Sequence, residues 1–289
     1  MAAFFLAASP KEGDKVNPLW APRLMIEKRY ARSIRKVMEA FEASLTAYNN
    51  PDDVLAALKD YAASEAFKRA AEDIAMKMIT QLFADGNKTW REAAREGGRG
   101  REIYKALKQE LIGPTGAVYY DLIYHNANLI RTLPDDIAEQ VTRYVAREQQ
   151  KGRRAEDIAI DLQRMFPGRT KANAQMIART EVSKASTALT QARCDDLGIS
   201  WYVWRTSEDQ RVRDSHRKMD NVLISWRDPP SPEALNRERS YGKYHAGNTF
   251  NCRCYPEPLI ELHYIRWPHK VYHNNQITMM TLEQFKRLF

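Results

Sequence analysis

The sequence predicts an α+β protein, with a helical N-terminal region followed by a small mixed or antiparallel sheet packed on a long helix. Three observations carry this. The first 150 residues hold apolar positions at helical spacing, separated by brief breaks. A face of small residues runs along a long predicted helix ending at Gly198. Beyond Gly198 the chain turns to short aromatic and β-branched runs, which suit a pleated, half-buried surface.

Taken in order, Arg23 to Tyr48 contains no Gly or Pro and places Ile34, Val37, Met38, Phe41 and Leu45 on one helix face. Asn49-Asn50-Pro51 ends it, and a second helical run goes from Asp53 to about Phe83. Loops are expected at Gly97-Gly98-Arg99-Gly100 and Gly113-Pro114. Two further helices are expected, from about Ala117 to Arg131 and from Pro134 to Gln149, because proline suits a first helical position. Lys151 to Arg154 marks a boundary, so the predicted regions are 1–150, 151–256 and 257–289. A helix near Ala155 to Phe166 should stop at Pro167-Gly168. Thr170 would then cap the long helix, with Gly198 as its C′ residue.

Trp201 to Trp204 reads as a first strand. Ser207 with Gln210 has the pattern of a capping box and opens a short helix through Met219. Asp220-Asn221 turns the chain into a second strand, Val222 to Trp226, and a third is expected around Phe250 to Tyr255. In the tail, Leu259 to Tyr272 is extended. Thr281 with Gln284 then caps a terminal helix presenting Leu282, Phe285, Leu288 and Phe289 as a candidate docking face. So short an apolar helix is marginal alone and should dock on its own domain or on a neighbour.

Composition narrows the class. No stretch approaches the roughly 20 apolar residues needed to span a bilayer. The apolar run Ala2 to Ala8 lacks the basic region of a secretory signal and reads as a docking arm. Three cysteines make no disulfide framework at this length, so folding in a reducing, intracellular setting is expected. Residues 1–150 carry 22 Lys+Arg against 21 Asp+Glu, whereas residues 151–289 carry 23 against 16. The second half, at +7, fits a polyanion partner or simply a solvated basic face.

Several residues do not suit a plain core. Ala174, Ala178, Glu181, Ala185, Ala188 and Ala192 share one helix face, which Glu181 interrupts with a charge. A buried carboxylate needs a partner, and Arg179, Arg211, Arg213 and His216 are the available cations. Val212, His216 and Met219 share a face of the short helix, so His216 points inward. In Asn251-Cys252-Arg253-Cys254, strand alternation puts both thiols on one side and Arg253 on the other. Two such thiols act as small hydrophobes, or join His216 and His245 around zinc.

In order, these pieces resemble the phage head-morphogenesis family of Mu F-like minor head proteins. The resemblance rests on Ile177-Ala178-Arg179-Thr180-Glu181, on Gly198-Ile199 leading to Trp204-Arg205-Thr206-Ser207, and on Asp209 to His216. Met219-Asp220 and Asn251-Cys252-Arg253-Cys254 complete it. It covers residues 170–256 and makes 151–256 a Mu F-like module. It implies a minor head protein in the virion, close to the portal vertex and made in the host cytoplasm. Such a protein would act in head assembly and in DNA packaging or delivery. The implied partners are the portal and other head proteins, with non-specific contact to phage DNA and no membrane. Many members carry Cys-x-x-Cys where this chain has Arg213 to His216, and His-Pro where it has Thr249-Phe250. Both departures remove metal donors, so no cofactor is expected. Asn221 stands in place of the usual glycine and tolerates the same left-handed turn.

The rival class is a metal-dependent nuclease. Asp209, His216, His245 and Asn251 include the residue types such hydrolysis uses, without the spacing of a recognised motif. A Walker A loop is absent, because Gly97 to Arg101 holds no Gly-Lys-Ser/Thr. The expectation is therefore a structural protein and not an enzyme.

Overall fold

The computed structural model describes residues 19–44, 47–96 and 99–288. The expected arm Ala2 to Ala8, the pair Gly97-Gly98 and the terminal Phe289 lie outside the described residues. The chain clusters into two compact units. One comprises Leu24–Gln81 and Tyr120–Glu181; the other comprises 19–23, Leu82–Tyr119 and the chain from Val182 onward.

The first unit is helical. It holds α1 (Leu24–Ser44), α2 (Pro51–Ala63), the start of α3 (Glu65–Glu96), most of α5 (Pro114–Gln150) and the first part of α6 (Ala155–Asp196). The single run expected from Asp53 to Phe83 is two helices. Ser64 leaves the helical conformation between them, and its hydroxyl bonds the Tyr61 carbonyl at 2.7 Å. Ile34, Met38, Phe41, Leu58, Phe67 and Phe166 are among the buried side chains.

Two expected helix breaks do not occur. Pro134 lies inside α5, and Pro167 with Gly168 lies inside α6. Each proline removes one backbone donor, yet the buried stripe continues across it: Ile130, Leu133 and Ile137 in α5, and Leu162, Phe166 and Ala174 in α6. Packing of a continuous apolar face outweighs the local preference to break. Thr170 is therefore a buried helix residue and not a cap.

The second unit is α+β. It holds the C-terminal parts of α3 and α6, α4 (Gly100–Gln109), and β1 (Trp201–Arg205), α7 (Asp214–Met219), β2 (Val222–Ser225) and α8 (Pro232–Leu235). It is completed by β3 (Tyr255–Pro258), β4 (His269–His273), β5 (Gln276–Met280) and α9 (Leu282–Lys286). The five-stranded sheet has the order β3-β1-β2-β4-β5, with β2 and β4 parallel and the other pairs antiparallel. It is a mixed sheet, and the tail supplies two of its strands. The β4–β5 turn puts both Asn274 and Asn275 at positive φ, as tight hairpins favour.

Alternation along β1 and β2 divides the core in two. Tyr202, Trp204, Val222 and Ile224 pack with Trp90, Ile103, Cys194 and Leu197 from α3, α4 and the end of α6. Trp201, Val203, Leu223 and Val271 pack with Phe285 of α9. Both faces of the central strands are thus covered, which explains their almost unbroken burial. Within this unit Arg193 and Glu110 form an ion pair at 2.8 Å, with both side chains 4% exposed.

Two local expectations change here. The capping box at Ser207 is not formed: Glu208 is left-handed, Asp209 accepts the Arg211 N–H at 2.8 Å, and α7 begins only at Asp214. The third strand lies at Tyr255–Pro258, so Asn251 to Cys254 form a loop with Asn251 at φ 52. Gly198 ends α6 at φ 65, and Asn221 turns the chain into β2 at φ 60, both as expected.

Candidate functional site

The end of α6 shapes the floor of the candidate site. Thr187 Oγ1 donates to the Ala246 carbonyl at 2.7 Å, drawing the segment after Tyr244 onto the helix. Gly247 makes this approach possible at φ 83: a Cβ there would stand 2.7 Å from both the Cys254 carbonyl and Thr187 Oγ1. Small and hydroxyl side chains on α6 thus admit two loops closely, those around Ala246 and Cys254.

Above this floor, α7 projects His216 inward. Its Nδ1 lies 3.5 Å from Cys252 Sγ and 3.4 Å from Cys254 Sγ. Its Nε2 lies 2.9 Å from the Tyr244 hydroxyl and 3.5 Å from Glu233 Oε1. The Tyr244 hydroxyl in turn donates to Glu233. Trp204 closes the side with its ring edge-on to the imidazole, at 5.7 Å between centroids. His216, Cys252, Cys254 and Glu233 are 1–4% exposed and Tyr244 is 7% exposed, so solvent is excluded.

The electrostatics follow from this crowding. A hydrogen bond from Cys254, then one from His216, holds the Cys252 thiol well below its ordinary range against the opposing effect of burial. The same contact with Cys252, followed by burial, pushes Cys254 well up. Of the two thiols, Cys252 is thus the more acidic. Burial, then Glu233, raises the Tyr244 hydroxyl, which stays a protonated donor. Chemically, the cluster can hold a proton among sulfur, imidazole and phenol, or hold a metal. Among the described residues, His216, Cys252 and Cys254 form the group whose ligand atoms all lie within 4.8 Å of one another.

Other sequence-identified residues are distributed around this centre or away from it. Asp220 accepts from Thr206 N at 2.8 Å and from its hydroxyl at 3.1 Å, tying the end of β1 to the end of α7. Arg213 stacks over Phe250 at 4.5 Å and donates to its carbonyl. Asp209 pairs with Arg253 at 3.8 Å, while Arg211 is exposed. Arg179 lies 3.7 Å from Glu27 in the helical unit. Glu181 is buried, as its place on the alanine face predicts. His125 of α5 meets it at 3.1 Å, because the two helices pack in one unit.

His245 also departs from the expected grouping. Its Nδ1 faces the Tyr202 hydroxyl at 3.2 Å and its ring meets Trp226, so it does not join the thiols. Nor do Asp209 and His245 fall in the metal-capable group, so the residues weighed for a nuclease do not converge as a set. Sequence reasoning missed Glu233 and Tyr244. They stand 17 and 28 residues from His216, and no spacing rule connects them. The candidate docking face takes the first of its two expected alternatives: Phe285 is fully buried between Trp201 and Trp267, with Leu288 against the same cluster, so α9 docks on its own sheet.

Comparison with known proteins converges on the same segment. Residues 136–256 match the model of the family described as Phage Mu protein F like protein. An uncharacterized protein of Haemophilus influenzae is 32% identical over 136 residues, covering 47% of this chain and 28% of that protein. The chain thus spans less than a third of that relative's length. No solved structure matches.

Proposed function

We propose that this protein, whose residues 136–256 match the family described as Phage Mu protein F like protein, is a minor head protein of a tailed phage. It acts near the portal, in head assembly and in DNA packaging or delivery. The Mu F-like module carries the reading. Its buried residues support a structural role: the chemistry-bearing cluster is closed to solvent and its groups hold one another. No described helix is long and apolar enough to cross a membrane. The partners proposed are the portal and other head proteins, with phage DNA contacted through the basic half of the chain.

The test is co-expression of the full chain with the portal protein of the same phage, followed by mass spectrometry of purified heads. A co-purifying complex and a few copies per head are expected. Absence from heads together with no portal complex would overturn the proposal. Incubation with DNA and Mg²⁺, Mn²⁺ or Zn²⁺ should give no cleavage. Metal-dependent cleavage lost in His216→Ala would establish the nuclease instead.

A further inference from the structure

We propose that His216, Cys252 and Cys254 form a structural zinc site that pins α7 to the loop before β3. The first argument is geometric. Tetrahedral zinc, with bonds of about 2.3 Å to sulfur and about 2.0–2.1 Å to nitrogen, places N and S donors about 3.6 Å apart. The His216 Nδ1 stands 3.5 Å and 3.4 Å from the two sulfurs. Both nitrogen-to-sulfur separations are thus close to those of a zinc-bound set, and all three donor atoms lie within 4.8 Å of one another.

The second argument concerns hydrogen-bond capacity. A ring nitrogen makes one hydrogen bond, either as donor or as acceptor. Two thiols converging on the same Nδ1 oversubscribe it, whereas one cation between them satisfies all three atoms. Two buried cysteines serving only as small hydrophobes would not require the imidazole to divide them.

The outer shell points the same way. A metal-bound histidine usually directs its other ring nitrogen at a carboxylate or another polar partner, which sets its tautomer. Here Nε2 faces the Tyr244 hydroxyl and Glu233 Oε1. Glu233 is 1% exposed, and its Oε2 has no hydrogen-bond partner among the described residues. A carboxylate so buried calls for a cation nearby, and a dication across the imidazole is one.

Charge and donor type select the ion. Two thiolates neutralise a dication where solvent is excluded, and a mixed sulfur and imidazole set suits zinc better than magnesium or calcium. On binding, the two sulfurs release their protons to solvent, the imidazole stays neutral, and nothing is oxidised or reduced. His245 is engaged with Tyr202 and does not supply the fourth ligand. This inference stands apart from the head-assembly reading, because metal content is measured on the purified chain alone.

The experiment uses the full chain, purified under reducing conditions without a histidine tag and desalted after exposure to zinc. Elemental analysis should find about one zinc per chain. Cobalt(II) should give the visible bands of a tetrahedral ion and a sulfur-to-cobalt charge-transfer band. Cys252→Ser, Cys254→Ser and His216→Ala should lose the metal, whereas Cys194→Ser and His245→Gln should keep it. The cobalt titration of the unaltered chain needs no variant, so a misfolded substitution leaves the test intact. Wild-type chain without retained zinc or a charge-transfer band would overturn the proposal. Metal retained equally by Cys252→Ser and Cys254→Ser would overturn it too.

Discussion

The imidazole of His125 lies 3.1 Å from a carboxylate oxygen of Glu181, so the charge interrupting the small-residue face of α6 is met from α5. Glu181 is 7% exposed at its side chain and His125 is 55% exposed, so the pair is half in water. Glu181→Ala should destabilise the chain by about 0.5–1.5 kcal/mol, the net worth of a hydrogen bond whose remaining partner, His125, is open to water. Denaturant unfolding checks it. An unchanged midpoint would remove Glu181 from the groups that hold the helical unit.

Gly247 and Gly242 form a matched contrast. Both have positive φ, at 83 and 103, but of the two only Gly247 has neighbours within 4 Å of where a Cβ would stand. Gly247→Ala combines backbone strain with collision against Cys254, Thr187 and Ser183. It should cost about 2–4 kcal/mol, against about 1 kcal/mol for Gly242→Ala. Equal melting shifts for the two variants would contradict the close approach.

Phe285→Ala should cost about 3–5 kcal/mol, as for other large buried aromatics. The ring is 0% exposed and seated between two tryptophans, so α9 should become sensitive to protease when it is lost. Limited proteolysis that trims wild type and variant at the same rate would argue against this seat.

Burial lowers the pKa of His245 to about 4. Above pH of about 6.5 the residue is neutral folded or unfolded, and its contribution is fully present. As pH falls from about 6.5 toward 4, the unfolded chain binds a proton that the folded chain refuses. Up to about 3 kcal/mol should be lost across that window, levelling below it. The profile should be measured with chelator present, so that metal loss is not read as titration. His245→Gln should flatten the slope.

DNA binding should be electrostatic and indifferent to sequence, arising from the +7 half of the chain. Its logarithmic affinity should fall linearly with log salt. Tight binding that survived high salt and preferred one sequence would indicate a dedicated reader.

Sequence alone determined what depends on local stereochemistry and pattern. Trp201 to Trp204 and Val222 to Ser225 are strands because their aromatic and branched side chains suit a sheet covered on both faces. Gly198 and Asn221 turn the chain because they tolerate positive φ. Thr281 and Gln284 cap α9 reciprocally because their spacing permits it. The motifs within residues 136–256, the segment that matches the Phage Mu protein F like model, were legible for the same reason: short ordered motifs survive in one dimension.

Tertiary structure decided wherever distant contacts outweighed local preference. Pro134 and Pro167 remain inside helices because the buried stripes on either side are continuous. Asn251 to Cys254 is a loop, yet both sulfurs still face one way, because they converge on His216 and not because a strand alternates. Glu181 found His125, and His216 found Tyr244 and Glu233, across sequence separations that no periodicity encodes. Side-chain type shows that a buried charge or thiol needs a partner; only the packing of helices and loops selects which partner arrives.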